Sequence, residues 1–238
     1  MKTPIKLAVF DMAGTTINSD TVVPQLLLKA FNQHGFHKLS IEAINSEMGY
    51  SIPDAIRKLL STHSSYQKEL SDIIIEKIYI TFKTGIKNHF LSNPVISPVE
   101  DALEVFETLQ QLGIKIGLNT NLNRSSANFL LEGAGWLNHP LIDITVCSDE
   151  VCKGRPHPDM ILQMMAALGI GSPSEIIKIG DSVADILEGQ QSGCLLSIGI
   201  TNAYFSYDDL MTAQPSHVLN SLSDIIPIVK RELENISE

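Results

Sequence analysis

Residues 5–16 read IKLAVFDMAGTT, and the change of character at Asp11 decides how the rest is read. An apolar run from Ile5 to Phe10, the length of a buried strand, gives way at once to a polar turn, Asp-Met-Ala-Gly-Thr-Thr. Similar apolar runs recur at Ile114–Asn119 (IKIGLN), Leu141–Cys147 (LIDITVC), Ile176–Ile179 and Cys194–Ile200. Between them lie stretches with helical periodicity. Val99, Ala102, Leu103, Phe106 and Leu109 share one face and stop at Gly113; Met160, Ile161, Met164, Met165 and Leu168 share another and stop at Gly169. The methionines therefore read as core stripe. Leu222, Ile225, Ile226, Val229 and Leu233 predict a closing helix. Alternating strands and helices of this kind predict an α/β fold, a parallel sheet with helices on both faces.

The connection between the first two runs is too long for a simple crossover. Inside it only helical patterns occur: Leu26, Leu27, Ala30 and Phe31 before Gly35, then Ala55–Leu60, then Leu70–Phe82. An inserted helical subdomain over residues 17–91 is expected, with the main domain made of residues 1–16 and 92–238. The prolines between Ser92 and Pro98 mark the return.

A chain of 238 residues, 44% hydrophobic and 18% charged, is composed for a packed core. Its net charge of −10 argues against nucleic acid and anionic membranes as partners but leaves a locally basic pocket possible. Cys147, Cys152 and Cys194 form neither a disulfide framework nor a zinc spacing and read as small buried thiols. With no signal-peptide pattern and no membrane-length apolar stretch, a cytoplasmic location is expected. The histidines match no triad or metal spacing.

Four polar clusters follow predicted strands, where open α/β sheets place ligands. They are Asp11–Thr16, Asn119-Thr120-Asn121, Gly154-Arg155-Pro156-His157-Pro158-Asp159 and Gly180-Asp181-Ser182-Val183-Ala184-Asp185. Each taken singly also fits a turn, a loop or a helix cap. Asp11, Asp181 and Asp185 would crowd together at neighbouring strand ends, and crowded carboxylates take up protons unless a cation sits among them. Oxygen ligation with few carboxylates suits Mg²⁺.

Together and in this order the clusters resemble the haloacid-dehalogenase superfamily over nearly the whole chain. The resemblance implies a Rossmann-like core with a cap and phosphoryl transfer from a small phosphorylated or phosphonate substrate to Asp11. It also implies Mg²⁺ held by Asp11, Asp181 and the Ala13 carbonyl, with Asp185 supporting from behind. Thr120, Asn121 and Arg155 would meet the phosphoryl group, with Gly14 and Thr15 as further contacts. Arg155 stands where many relatives have lysine; Lys153 is a second candidate base. Arg155 is favoured because the Gly-Arg-Pro-x-Pro register matches and its fork suits phosphate or carboxylate.

Two departures bear on function. Ala13 occupies the place of a general acid, a group that contributes about 10²–10⁴-fold. Asp-x-Ala-Gly-Thr-Thr with Gly-Arg-Pro-x-Pro resembles the phosphonatase branch, which cleaves a carbon–phosphorus bond through a cap-lysine imine. Met48-Gly49 and Asp54…Arg57 resemble that cap pattern, yet the lysine's place falls on Ile52, and Lys58 would face another way. Tyr50, Ser51 and Arg57 are cap candidates for substrate contact. The expectation is a phosphonatase-like Mg²⁺ hydrolase working through an aspartyl-phosphate. Open alternatives are phosphonoacetaldehyde hydrolysis with Lys58 or another cap lysine, a 2-haloacid dehalogenase, and a weakly catalytic metal- or ligand-binding protein. Substrate and oligomeric state are not encoded legibly.

Overall fold

The structure, a computed structural model, describes residues 5–18, 22–63, 65–92 and 96–235. Strand β1 (Leu7–Asp11) is followed by four helices, α1 (Val22–Gln33), α2 (Ile41–Asn45), α3 (Ile52–Thr62) and α4 (Asp72–Ser92). The chain then alternates through α5 (Ala102–Gln111), β2 (Lys115–Thr120), α6 (Arg124–Gly133), β3 (Ile144–Cys147), α7 (Asp159–Leu168), β4 (Ile176–Gly180) and α8 (Val183–Ser192). It closes with β5 (Leu196–Ile200), α9 (Tyr207–Met211), β6 (His217–Leu219) and α10 (Ile225–Glu234).

The six strands form one sheet in the order β3-β2-β1-β4-β5-β6, every neighbouring pair parallel. All five residues of β1 are buried, and their side chains alternate between the sheet's faces. Leu7 and Val9 meet Met160, Ile161 and Met164 of α7, while Ala8 and Phe10 belong to the cluster around Phe106, Leu109 and Trp136. The Phe10 and Phe106 rings lie 5.1 Å apart. Gly169 ends α7 in the left-handed conformation, a position where a Cβ is strained.

Register sets the site. Asp11 lies opposite Asn119 of β2, and Phe10 lies opposite Ile179 of β4, so the carboxyl ends of the three central strands are level. The order reverses around β1, which makes this the switch point where such sheets open a crevice.

The segment from α1 to α4 lies over that crevice. The outgoing and returning chains run side by side: the Val99 amide donates to the Thr16 carbonyl at 2.9 Å and the Asn18 amide to the Ser97 carbonyl at 3.0 Å. Residues 93–95 of the expected return linker lie outside the described residues. The helices pack around Phe31, Phe36 and Tyr66, and His34 bonds Thr81 at 2.8 Å. Phe90 stacks on Phe129 of α6, so this layer also rests on the sheet's own helices.

Some elements differ from the expectations above. β6 carries no apolar run because it is a three-residue, half-buried edge strand. α2 and α9 are five residues each, too short for a periodicity to show. Cys147 is buried, but Cys152 is exposed in the loop after β3. Among the described residues no helix is long and apolar enough to cross a membrane.

Candidate active site

The crevice holds a cavity of about 80 Å³ whose floor comes from the strand ends: Asp11, Ala13, Thr120, Asn121, Arg155, Asp181, Ser182 and Asp185. Its roof is apolar, with Pro24, Met48 and Ile52 from the helical layer beside Leu122 and Phe205. Tyr50 and Tyr204 complete the wall.

Arg155 is the organising group. Its side chain is 2% exposed, and all three guanidinium nitrogens are committed to the protein. Nη1 donates to Asp11 Oδ1 at 2.6 Å and lies 3.0 Å from Asp185 Oδ1; Nε donates to Glu188 at 3.0 Å. Nη2 donates to the Asn119 carbonyl at 2.9 Å and to its side-chain oxygen at 2.5 Å. Burial alone would loosen its proton; Asp185, Asp11 and Glu188 override that and hold it firmly cationic. Of the two groups the fork suits, phosphate or carboxylate, the one it holds here is the carboxylate of the nucleophile candidate.

Lys178 sits behind it, fully buried, 2.7 Å from Asp185 and 3.5 Å from Glu188, and donates to Asn119 at 3.0 Å. Asp185 accepts from Ser182 Oγ at 2.5 Å, and Ser182 also caps α8. Burial works to raise the Asp185 pKa, but Arg155 and Lys178 outweigh it and hold the carboxyl below its ordinary value. Gly180 is required here, since a Cβ on it would strike the Asp185 carboxyl.

Asp11 and Asp181 behave oppositely. Burial pushes Asp11 up to about 6, against the pull of Arg155. Burial, then the neighbouring charges of Asp11 and Asp185, lift Asp181 well above the ordinary carboxylate range. Asp181 accepts from Thr15 Oγ1 at 2.9 Å and from Asn202 Nδ2 at 2.6 Å. Four buried carboxylates (Asp11, Asp181, Asp185, Glu188) thus face two buried bases, and of the three that border the cavity Asp11 and Asp181 bear the uncompensated burial while Asp185 is held by both bases.

The structure brings Asp11, Ala13, Thr120, Asn121, Arg155, Asp181, Asp185 and Tyr50 around one cavity. Thr120 Oγ1 accepts from the Leu122 amide at 3.2 Å, which leaves its hydroxyl proton to donate. Asn121 accepts from the Arg155 amide at 3.2 Å and donates to the Gly49 carbonyl, tying the floor to the helical layer. Gly14, Thr15 and Arg57 do not line this cavity. Gly14 has φ of +98°, and a Cβ there would lie 2.5 Å from Asp181 Oδ2, so Gly14 and Thr15 hold Asp181 rather than face a ligand. Arg57 points outward and pairs with exposed Asp72 at 2.9 Å. Lys58 pairs with Glu47 at 2.9 Å, and Lys153 is exposed. Ile52 occupies the roof.

Lys178, Glu188 and Asn202 escape the sequence reading, and Asn119 goes unassigned there. Signals for them exist: Lys178 is a charge inside an otherwise apolar buried strand, Glu188 falls three residues after Asp185 on one helix face, and Asn202 follows β5 as the other clusters follow their strands.

The family profile for haloacid dehalogenase-like hydrolase matches residues 8–197, from β1 to the start of β5. The chain belongs to that family. It is thus a hydrolase with the α/β fold of that family. Among curated relatives, a phosphonoacetaldehyde hydrolase of Latilactobacillus sakei is 28% identical over 207 residues, 83% of this chain and 76% of that one. The pyrophosphatase PpaX of Bacillus pumilus is 27% identical over 225 residues, 94% of this chain and 96% of that one. A phosphonoacetaldehyde hydrolase-like protein from Oleispira antarctica superposes with a TM-score of 0.81 at 24% identity, covering 98% of this chain and 95% of its own.

Proposed function

We propose that this family member hydrolyses a small phosphorylated metabolite through an aspartyl-phosphate on Asp11, with Mg²⁺ as cofactor. The observation that carries the proposal is the posture of Asp11: one carboxylate oxygen is anchored by Arg155 at 2.6 Å while the residue borders the cavity. An anchored carboxylate keeps its other oxygen aimed at phosphorus, and the fixed guanidinium offsets its charge as an anionic substrate approaches. Thr120 and the Asn121 amide donate to phosphoryl oxygens, and the apolar roof excludes bulk water. The helices of residues 17–91 serve as the cap over the domain formed by residues 1–16 and 92–238.

The cavity's donor set fits a divalent ion that keeps part of its water. Among the described residues no three His, Cys, Asp or Glu side chains converge as a metal cluster. Asp11, Asp181 and the Ala13 carbonyl would hold Mg²⁺, which suits one or two carboxylates completed by water and phosphate. Asp185, with both oxygens taken by protein donors, stays behind as support for Arg155 and Lys178. Held there, the ion would supply charge neutralisation for the phosphoryl transfer.

The test is turnover of a generic phosphate ester with Mg²⁺. Asp11→Asn abolishes it and EDTA suppresses it in the wild type; undiminished activity in the variant would refute the nucleophile. A second reading has support in the relatives named phosphonoacetaldehyde hydrolase. That reaction would need an imine-forming lysine, whereas Ile52 lines the roof and Lys58 is paired outside it. Borohydride with phosphonoacetaldehyde should therefore leave no covalent adduct.

A further inference from the structure

We infer that the substrate is a small phosphate compound with an apolar, uncharged remainder that departs as a weakly basic anion, as from an acyl phosphate or an activated ester, and not a simple alkyl phosphate. The inference rests on the phosphohydrolase reading and names the substrate class for the same cavity.

The argument begins with protons. An alkoxide is a poor leaving group unless an acid in the site protonates it as the P–O bond breaks. Among the described residues lining the cavity there is no histidine, lysine, cysteine or glutamate. Asp11 is the nucleophile. Both Asp185 oxygens are taken by Lys178, Arg155 and Ser182, and all the Arg155 nitrogens are engaged within the protein. Both Asp181 oxygens accept hydrogen bonds, Oδ1 from Thr15 and Oδ2 from Asn202. Ala13, two residues past the nucleophile and on the cavity wall, offers only a methyl group. Besides the Thr120 and Ser182 hydroxyls only the phenols of Tyr50 and Tyr204 remain on the wall, and a phenol is a far weaker acid than a carboxylic acid, so the leaving group departs with its electron pair and finds its proton in solvent.

Shape and polarity narrow the class further. A cavity of about 80 Å³ is small beside common ligand pockets of about 300–1,000 Å³, so a phosphoryl group leaves room for only a few more atoms. Those atoms meet Pro24, Met48, Ile52, Leu122 and Phe205. A charged remainder would lose its hydration there and meet no opposite charge among those side chains.

The reaction balances without an acid. Asp11 forms a bond to phosphorus as the P–O bond to the remainder breaks, and the electron pair leaves on that oxygen. Water then attacks phosphorus, frees Asp11 and gives both its protons to the released phosphate.

The experiment compares compounds of similar size: ethyl, 2-fluoroethyl and 2,2,2-trifluoroethyl phosphate, with acetyl phosphate and pyrophosphate beside them. Wild-type kcat/KM should rise steeply as the leaving group weakens as a base, acetyl phosphate exceeding ethyl phosphate by at least about 10²-fold. Pyrophosphate should be poor despite its good leaving group. Ala13→Asp should flatten the slope by raising the alkyl esters most; where that variant fails to fold, the wild-type slope decides alone. Equal wild-type rates on ethyl and trifluoroethyl phosphate would overturn the inference, and Tyr50→Phe and Tyr204→Phe would then identify a phenolic donor. Preferred turnover of pyrophosphate would overturn it too. Phosphate release from none of the compounds would overturn the hydrolase reading together with this one.

Discussion

The floor and the roof of the cavity are built by opposite rules. The floor is ionic and over-determined: Arg155, Lys178, Asp185, Glu188 and Asn119 are all buried, and each is bonded to at least two of the others. The roof is apolar, comes largely from the helical layer, and reaches the floor through the Asn121–Gly49 hydrogen bond and the close approach of Gly49 to Ser182. A rigid floor suits a reaction that tolerates little misplacement of the nucleophile. A roof held by packing can change its lining without touching the chemistry. On the proposed reading, chemistry and selection fall to two different layers of one chain.

That division predicts unequal responses to mutation. Lys178→Met removes one of two buried bases and leaves Asp185 and Glu188 short of a partner. Breaking a buried pair this way costs about 3–5 kcal/mol. Urea unfolding should show the loss, and a change within 1 kcal/mol would mean the floor is not the interlocked unit described here. Ile52→Ala trims the roof, and truncating a buried isoleucine costs about 2–5 kcal/mol, with the low end expected because its side chain borders a cavity. Its kinetic mark should be a raised KM with kcat nearly kept; a fall in kcat alone would place the roof in the chemistry.

The smallest effect concerns pH. Burial lifts the folded-state pKa of Asp11 to about 6, so between its ordinary value and that one the folded protein holds a proton the unfolded chain has released. This group's contribution to stability therefore falls as pH rises through that window in the metal-free protein. A cation that binds the ionised carboxylates gains most above it. The rise in Tm on adding Mg²⁺ should be larger well above pH 6 than well below it, and the opposite order would remove Asp11 from the ion's ligands.

Sequence and structure agree where a signal is local. Five strands show as apolar runs because parallel strands buried on both faces carry little else. Asp11, Thr120, Arg155 and Asp181 are legible because each stands at or after the carboxyl end of a strand, and register aligns those ends. Partnerships are not legible. Nothing near Arg155 in the chain says that its fork closes on Asp11, Asn119 and Glu188. Arg57 misleads for a related reason: five residues after Ile52, it lies about 140° around α3 and faces solvent.

The central claim is that the carboxylate held by Arg155 takes up phosphorus. Acid quenching during turnover of ³²P-acetyl phosphate with Mg²⁺, followed by peptide mapping, reads this directly. The account predicts an acid-stable, hydroxylamine-labile label on the peptide containing Asp11, absent from Asp11→Asn. Phosphate release with no labelled peptide, or with label on another residue, would contradict it.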